Sequence, residues 1–229
     1  MEVGYRKQFA PNLSGDISLY RYHYSDLRGG ALTSINGCSP LFAGLGITFP
    51  PTNPAACPSA LQNLPVYYAT SQVSNSLTGW SNGAEITVDW LATPNWRLQL
   101  SYSWSRLDMN EYGNAFQQNS ARLLEKSTPR HHGSLRSQWN IDSRQQLDLW
   151  LRTSAGFERL DAPYTTTVRV PGYATLDLRY AYRVDKNLEV ALIGRNLVGA
   201  RRFEYVSDYL ATVSTAMQPS LMLTSRWTF

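Results

Sequence analysis

The chain has no long hydrophobic run. Its apolar stretches reach only about five residues, against the roughly 20 that a membrane-crossing helix needs, so no such helix is expected. No leader is expected either, because EVGYRKQFAPN after Met1 holds neither a positively charged region nor an apolar stretch of the export-signal kind. Histidine is scarce, at three residues (His23, His131 and His132). Neighbours on a strand point to opposite faces, so His131 and His132 cannot jointly hold a metal. Neither cysteine has the close-spaced Cys or His companion of a metal site. No G-x-S-x-G, H-E-x-x-H or phosphate-binding loop occurs, so no catalytic set and no cofactor are expected. A net charge of +4 and a pI near 9.1 raise the question of nucleic acid. The basic residues alternate with apolar ones and form no cluster, which argues against that partner.

What is present is alternation. In the final segment PSLMLTSRWTF, Leu221, Leu223, Trp227 and Phe229 fall on one face, opposite Met222, Thr224, Arg226 and Thr228. Ser225 departs from the pattern on the apolar face. In ATLDLRYAYRV, Leu176, Leu178, Tyr180, Tyr182 and Val184 oppose Asp177, Arg179, Ala181 and Arg183. LEVALIGRN, LDLWLRTS and RLQLSYSWS repeat the rule. Each run approaches the roughly ten residues a tilted strand needs to cross a bilayer. Antiparallel sheets in water also alternate. Trp90, Trp96, Trp104, Trp139, Tyr182 and Trp227 lie at strand ends, where an interfacial girdle would place them. A mean hydropathy of −0.33 suits strands with one face toward a wet lumen.

Connections sort by length. Short ones lie at 185–187, 142–146, 93–96 and 11–12, and long ones at 206–216, 161–169, 109–128 and 29–65. Short periplasmic turns alternating with longer outside loops characterise outer-membrane barrels. The strands are expected near 1–10, 13–28, 66–92, 97–108, 128–141, 147–160, 170–184, 188–205 and 217–229. If the chain ends at the periplasm, its first strand descends, whereas a single-chain bacterial barrel begins with an ascending strand and has an even count. The expectation is therefore a chain that starts in mid-barrel, as a mature or cut fragment or the product of a broken gene. Its first and last strands would be open edges, which hydrocarbon does not tolerate. Cys38 and Cys57 flank a Pro/Gly-rich stretch; after export they are read as one disulfide pinching a long loop, against two unpaired thiols.

In this order, the segments LSGDISLYRYHYSDLR, WSNGAEITVDWLATPNWRLQLSYSWSRLD, TPRHHGSLRSQWNI, VPGYATLDLRYAY and LEVALIGRNLVGARRFEY resemble the C-terminal part of TonB-dependent receptors. Gly83 and Glu85 match the family's G-x-E strand, Asn196–Val198 its N-L-hydrophobic pattern, and Trp227 with Phe229 the terminal signal read by the barrel assembly machinery. The resemblance covers essentially the whole chain, 1–229. It implies an all-β, antiparallel, up-and-down transmembrane barrel, present here as its C-terminal strands out of about 22. The leader, TonB box, plug and about thirteen preceding strands have no counterpart in the sequence. The resemblance further implies residence in outer-membrane lipid and uptake of a scarce nutrient, above all a ferric siderophore, with haem, cobalamin or a sugar as alternatives. TonB would act through the missing plug.

Among particular residues, Arg136, Arg152, Arg179 and Arg195 are expected to face the lumen, with Asp142, Asp148, Asp177 and Glu189 on the same side nearer the periplasm. They could attract anionic chelates or form cross-strand ion pairs and plug contacts. The loop aromatics Tyr112, Phe116, Tyr164, Phe203, Tyr205 and Tyr209 could grip a ligand or simply pack. An outer-membrane hydrolase and a soluble carbohydrate-binding β-sandwich are the readings of other classes.

Overall fold

The computed structural model describes residues 1–41, 51–112, 115–160, 167–199, 201–205 and 215–229. Its strands are β1 (Glu2–Ala10), β2 (Leu13–Gly37), β3 (Tyr67–Thr93), β4 (Trp96–Glu111), β5 (His131–Asn140), β6 (Gln145–Ser154), β7 (Phe157–Leu160), β8 (Thr167–Val170), β9 (Tyr173–Arg183), β10 (Leu188–Arg195) and β11 (Ser220–Trp227). One sheet holds nine of them in the order β1-β2-β3-β4-β5-β6-β9-β10-β11, and β7 pairs with β8 as a separate hairpin. Apart from that hairpin, every strand lies beside its neighbour in the chain. This is an antiparallel up-and-down meander, as the alternation required.

The chain divides into two compact units. The first comprises Met1–Tyr22, Trp80–Leu107 and Glu125–Phe229. Its registers line up apolar residues across successive strands. Leu100 faces Leu135, Leu135 faces Leu151, and Leu151 faces Leu176. One step along, Leu147 faces Tyr180, Tyr180 faces Leu192, and Leu192 faces Leu223. Leu98, Leu149, Leu178, Val190 and Leu223 all belong to this face, and none is buried. Leu221 and Leu223 are each 72% exposed. A contiguous exposed apolar face of this kind marks a surface that meets another apolar phase. At the short-turn end, the Trp96 and Trp139 rings meet with centroids 6.5 Å apart.

The second unit comprises His23–Gly79 and Asp108–Leu124. It contains residues 23–37 of β2, 67–79 of β3 and 108–111 of β4, and the buried apolar residues Cys38, Cys57, Leu77, Met109 and Ala121. A disulfide joins Cys38 to Cys57, with Cα atoms 5.7 Å apart. In the same unit Ser76 Oγ donates to Glu111 Oε1 at 2.9 Å.

The structure corrects several expectations. The loop expected at 109–128 contains a helix, α1 (Ala115–Lys126), because Gln, Ala, Arg, Leu, Glu and Lys dominate AFQQNSARLLEK and all favour helix. The loop expected at 29–65 starts later, since β2 runs to Gly37. The strand expected over 188–205 stops at Arg195, where Asn196 takes φ 56° and Gly199 φ 101°, values a continuing strand cannot adopt. The strand expected over 147–160 is interrupted after Ser154, leaving β7 detached, while β8 occupies the end of the loop expected at 161–169 and the strand expected from 170 begins as β9 at Tyr173. At that break two glycines oppose each other. A Cβ on Gly172 would sit 2.8 Å from Gly156 N and 3.0 Å from Ser154 O, which are fixed backbone atoms.

Two of the four short turns share one device. Asp142 Oδ1 accepts from the backbone N–H of Arg144 and of Gln145, both at 2.7 Å. Asp185 Oδ1 does the same for Asn187 at 2.7 Å and Leu188 at 2.9 Å. Such a side chain mimics a backbone turn. Asp142 thus sits in the turn rather than on a strand face, a correction to its expected lumenal position.

Two outcomes follow. Gly172→Ala should destabilise the folded chain by about 1–3 kcal/mol, since overpacking against backbone cannot relax cheaply. Gly4→Ala should be close to neutral, because its Cβ would meet only Ile17 O at 3.8 Å. Urea unfolding in detergent, followed by tryptophan fluorescence, distinguishes them. The amide donors, led by Arg144 N–H, hold the Asp142 carboxyl below its ordinary 3.8. A depressed carboxylate stabilises the turn above its unfolded value and loses that contribution as pH falls through the folded one. Its carboxyl carbon should therefore titrate below 3.8 by NMR, with the Arg144 and Gln145 amide shifts moving in step; a midpoint at or above 3.8 contradicts this.

Candidate functional site

The polar face of the first unit is built by the residues that alternate with the apolar ones. On β5, β6, β9 and β10 these are Arg136, Asp148, Trp150, Arg152, Thr175, Asp177, Arg179, Glu189 and Arg195. All of them except Glu189 line one side of a cavity of ≈ 770 Å³ that also takes in Tyr173, Asn196, Arg202 and Gln218.

Three of the four expected arginines are ion-paired across strands. Arg136 Nε donates to Asp148 Oδ1 at 3.0 Å. Arg152 Nη2 donates to Asp177 Oδ2 at 2.5 Å. Arg179 Nη2 donates to Glu189 Oε1 at 2.5 Å, and its Nη1 to Gln146 Oε1 at 2.9 Å. Arg195 is exposed and has no ion pair among the described residues. The same face carries the pairs Arg6–Asp16 and Arg97–Asp89 nearer the start of the sheet. The Trp150 ring lies between two guanidiniums, 5.9 Å from that of Arg136 and 4.7 Å from that of Arg152, and its Nε1–H donates to Ser134 Oγ at 2.8 Å.

Partly exposed pairs contribute about 0–1 kcal/mol each, because water screens them and holding two long side chains costs entropy. Their value here is geometric. The diagonal contacts fix register and hold the arginine forks in defined places, with most of their charge answered by an acid. Arg195 is the one of these four arginines without such an acid among the described residues.

A denser network lies where β9 begins and β10 ends, and sequence reading missed most of it. Thr175 and Asn196 are buried, at 2% and 5% exposure. Thr175 Oγ1 donates to Asn196 Oδ1 at 2.9 Å, and Arg202 Nη1 donates to the same oxygen. Asp177 Oδ1 accepts from Asn196 N–H at 2.8 Å. Arg202 also grips Glu204 Oε1, at 3.0 Å through Nε and 2.7 Å through Nη2, while its guanidinium lies 4.3 Å above the Tyr173 ring. The chain is thereby linked from Arg152 through Asp177, Asn196 and Arg202 to Glu204. The Asn-Leu pair at 196–197 was the one visible signal. Arg202 could not be placed, since its partners lie up to 29 residues away in sequence.

The six loop aromatics are placed separately. Tyr112, after β4 in the second unit, is 77% exposed. Phe203 and Tyr205, in the first unit, are 49% and 48% exposed. Phe116 lies on α1. Tyr164 and Tyr209 fall outside the described residues. Phe203 and Tyr205 flank Glu204, on the segment Arg202 secures. Trp227 and Phe229 stack with centroids 6.0 Å apart, Phe229 lying beyond the end of β11. Among the described residues, no three His, Cys, Asp or Glu side chains converge as metal ligands.

A protein-family model described as TonB dependent receptor-like, beta-barrel matches residues 1–197. No curated protein matches the chain. Among solved structures, it is similar to the ferric-catecholate import receptor Fiu from E. coli K12, with 18% identity and a TM-score of 0.66, over 100% of this chain and 27% of that one. It is similar to the ferric yersiniabactin uptake receptor FyuA from Yersinia pestis, with 15% identity and a TM-score of 0.63, over 100% of this chain and 29% of that one. It is also similar to the iron transporter FrpB from Neisseria meningitidis, with 12% identity and a TM-score of 0.66, over 100% and 30% respectively. At these identities the likeness is one of fold. The chain spans between a quarter and a third of the length of these structures.

The Arg202 network generates a test of its own. Arg202→Ala should weaken the 196–205 segment by about 1–3 kcal/mol, the cost of leaving buried polar partners unmet. Lysine should restore little, since it cannot stack and fork at once. Hydrogen exchange should show faster exchange at Asn196–Tyr205 in both variants, with β5 and β6 unchanged.

Proposed function

This chain belongs to the TonB-dependent receptor-like β-barrel family, and from that premise we propose that it forms barrel wall in an outer-membrane receptor that takes up a ferric siderophore. The observation that carries the reading is the division of one sheet into an uncovered apolar face and a polar face held in register by cross-strand ion pairs. The first suits hydrocarbon, and the second suits a hydrated path through a large barrel. Three of the similar structures are named for iron or iron-chelate import, which supports a ferric ligand over haem, cobalamin or a sugar.

In this reading the short turns at Asp142 and Asp185 face the periplasm, and the longer connections of the first unit face outward. Arg195, with Phe203 and Tyr205 on the segment anchored by Arg202, contributes to the outer part of the path. Aromatic surface with a few charged groups matches a flat, anionic iron chelate. The chain's own residues supply wall, register and electrostatics. Transport is driven through a plug by TonB, and assembly uses the terminal Trp227 and Phe229. No bond is made or broken by the barrel itself.

The test is a chimera. These 229 residues replace the corresponding last part of a ferric siderophore receptor, expressed in cells lacking their own receptors. Growth on the ferric siderophore at limiting iron should be restored and should vanish when TonB is deleted. The chain alone, given an export signal, should support no growth. TonB-dependent growth with the chain alone, or a fully assembled chimera that imports nothing, contradicts the proposal.

A further inference from the structure

Charges in the first unit are sorted by sign as well as by face. Within its strands of the nine-stranded sheet, every acid, from Glu2 and Asp16 through Asp89 to Glu189, lies on the polar face. The charged residues on the apolar face are all basic. Lys7 stands near the short-turn end. Arg21 and Arg106 stand at the opposite end, beyond the leucine rows.

The distal pair sits among aromatic rings. The Arg21 guanidinium lies 4.2 Å from the centre of the Trp80 ring. Two residues before Arg106 on the same face, Trp104 is directly opposite His131. Tyr102 OH and His131 Nδ1 are 2.7 Å apart. Arg21, Arg106 and His131 are exposed, and among the described residues neither arginine has an acidic partner. This contrasts with Arg136, Arg152 and Arg179 on the other face, each of which has one.

A bare guanidinium at mid-membrane is costly, whereas one level with the headgroups can meet an anion there. Aromatic rings beside it suit the same depth. Arginine is the side chain that grips phosphate with two parallel N–H donors. We propose that this rim, centred on Arg21 and Arg106, binds the phosphorylated headgroup of an outer-leaflet lipid. The lipid supplies the countercharge that the protein leaves out of this face, and thereby fixes the depth and tilt of the wall. The inference rests on the orientation given above, with the long connections outward, but not on the identity of any transported ligand.

The experiment uses the full chain refolded in dodecyl maltoside, with binding read by native mass spectrometry. The probes are diphosphorylated lipid A, the same lipid with its phosphates removed, and inorganic phosphate. The phosphorylated lipid should bind at least about tenfold more tightly than the dephosphorylated one, the scale of one charge-assisted contact. The preference should shrink as salt is raised. Arg21→Gln combined with Arg106→Gln should abolish it, while Lys7→Gln should leave it intact. Equal affinity for the two lipids overturns the proposal in the unaltered chain, whatever the variants do. So does a preference that survives in the double variant, or binding of inorganic phosphate as tight as that of the lipid. Transport plays no part in this measurement, so its failure leaves the uptake proposal standing, and the failure of uptake leaves this one standing.

Discussion

Backbone hydrogen bonding in hydrocarbon is the constraint on which the rest of this structure depends. A peptide N–H or C=O that crosses a bilayer unpaired costs several kcal/mol, and lipid offers no substitute partner. Strands can cross only if each is bonded to a neighbour on both sides, which forces a continuous antiparallel ladder. Given the ladder, the pleat sends alternate side chains to opposite faces. Everything else in the first unit, from the leucine rows to the ion pairs, is a consequence of filling two faces that meet different solvents.

The two faces use different physics. On the apolar side, Leu135, Leu151 and Leu176 meet one another directly across strands, and their stabilisation comes from hydrocarbon rather than from a closed core. On the polar side, the Arg–Asp and Arg–Glu contacts add little energy apiece but discourage slippage. A one-residue slip would carry Asp148 or Asp177 to the apolar face, which is prohibitively costly there. The ion pairs therefore police register more than they add stability. The Arg202 network does the same for the segment after β10, tying a stretch that pairs only through an isolated bridge of Arg202 with Met217, among the described residues, back to Thr175 and Asp177.

Much of the sheet was legible because period-2 alternation is a local property. Leu98, Leu149, Leu178, Val190 and Leu223 could be assigned to one face from their immediate neighbours alone. The helix Ala115–Lys126 was missed because a search for alternation treats everything between strands as loop, although its residues favour helix. The early end of β10 was missed because Leu197 and Val198 prolong the apolar run, while the left-handed turn at Asn196 depends on contacts from Thr175 and Arg202. The pairing of Arg136, Arg152 and Arg179 with particular acids needed the register between strands, which single-strand patterns do not contain. The aromatic surface was the least legible part, since loop residues are positioned by contacts far along the chain rather than by any repeat.

The central claim is that one sheet faces lipid on one side and water on the other, residue by residue. It is tested most directly by single spin labels placed in turn at positions 147 to 152 of β6 in the chimera that carries this chain in a complete barrel, reconstituted into bilayers. Collisions with oxygen, which concentrates in lipid, and with a water-soluble nickel chelate are measured at each site. The account predicts strict alternation, with oxygen favoured at 147, 149 and 151 and the chelate at 148, 150 and 152. The same accessibility at neighbouring positions, or a repeat of about 3.6 residues, would contradict it.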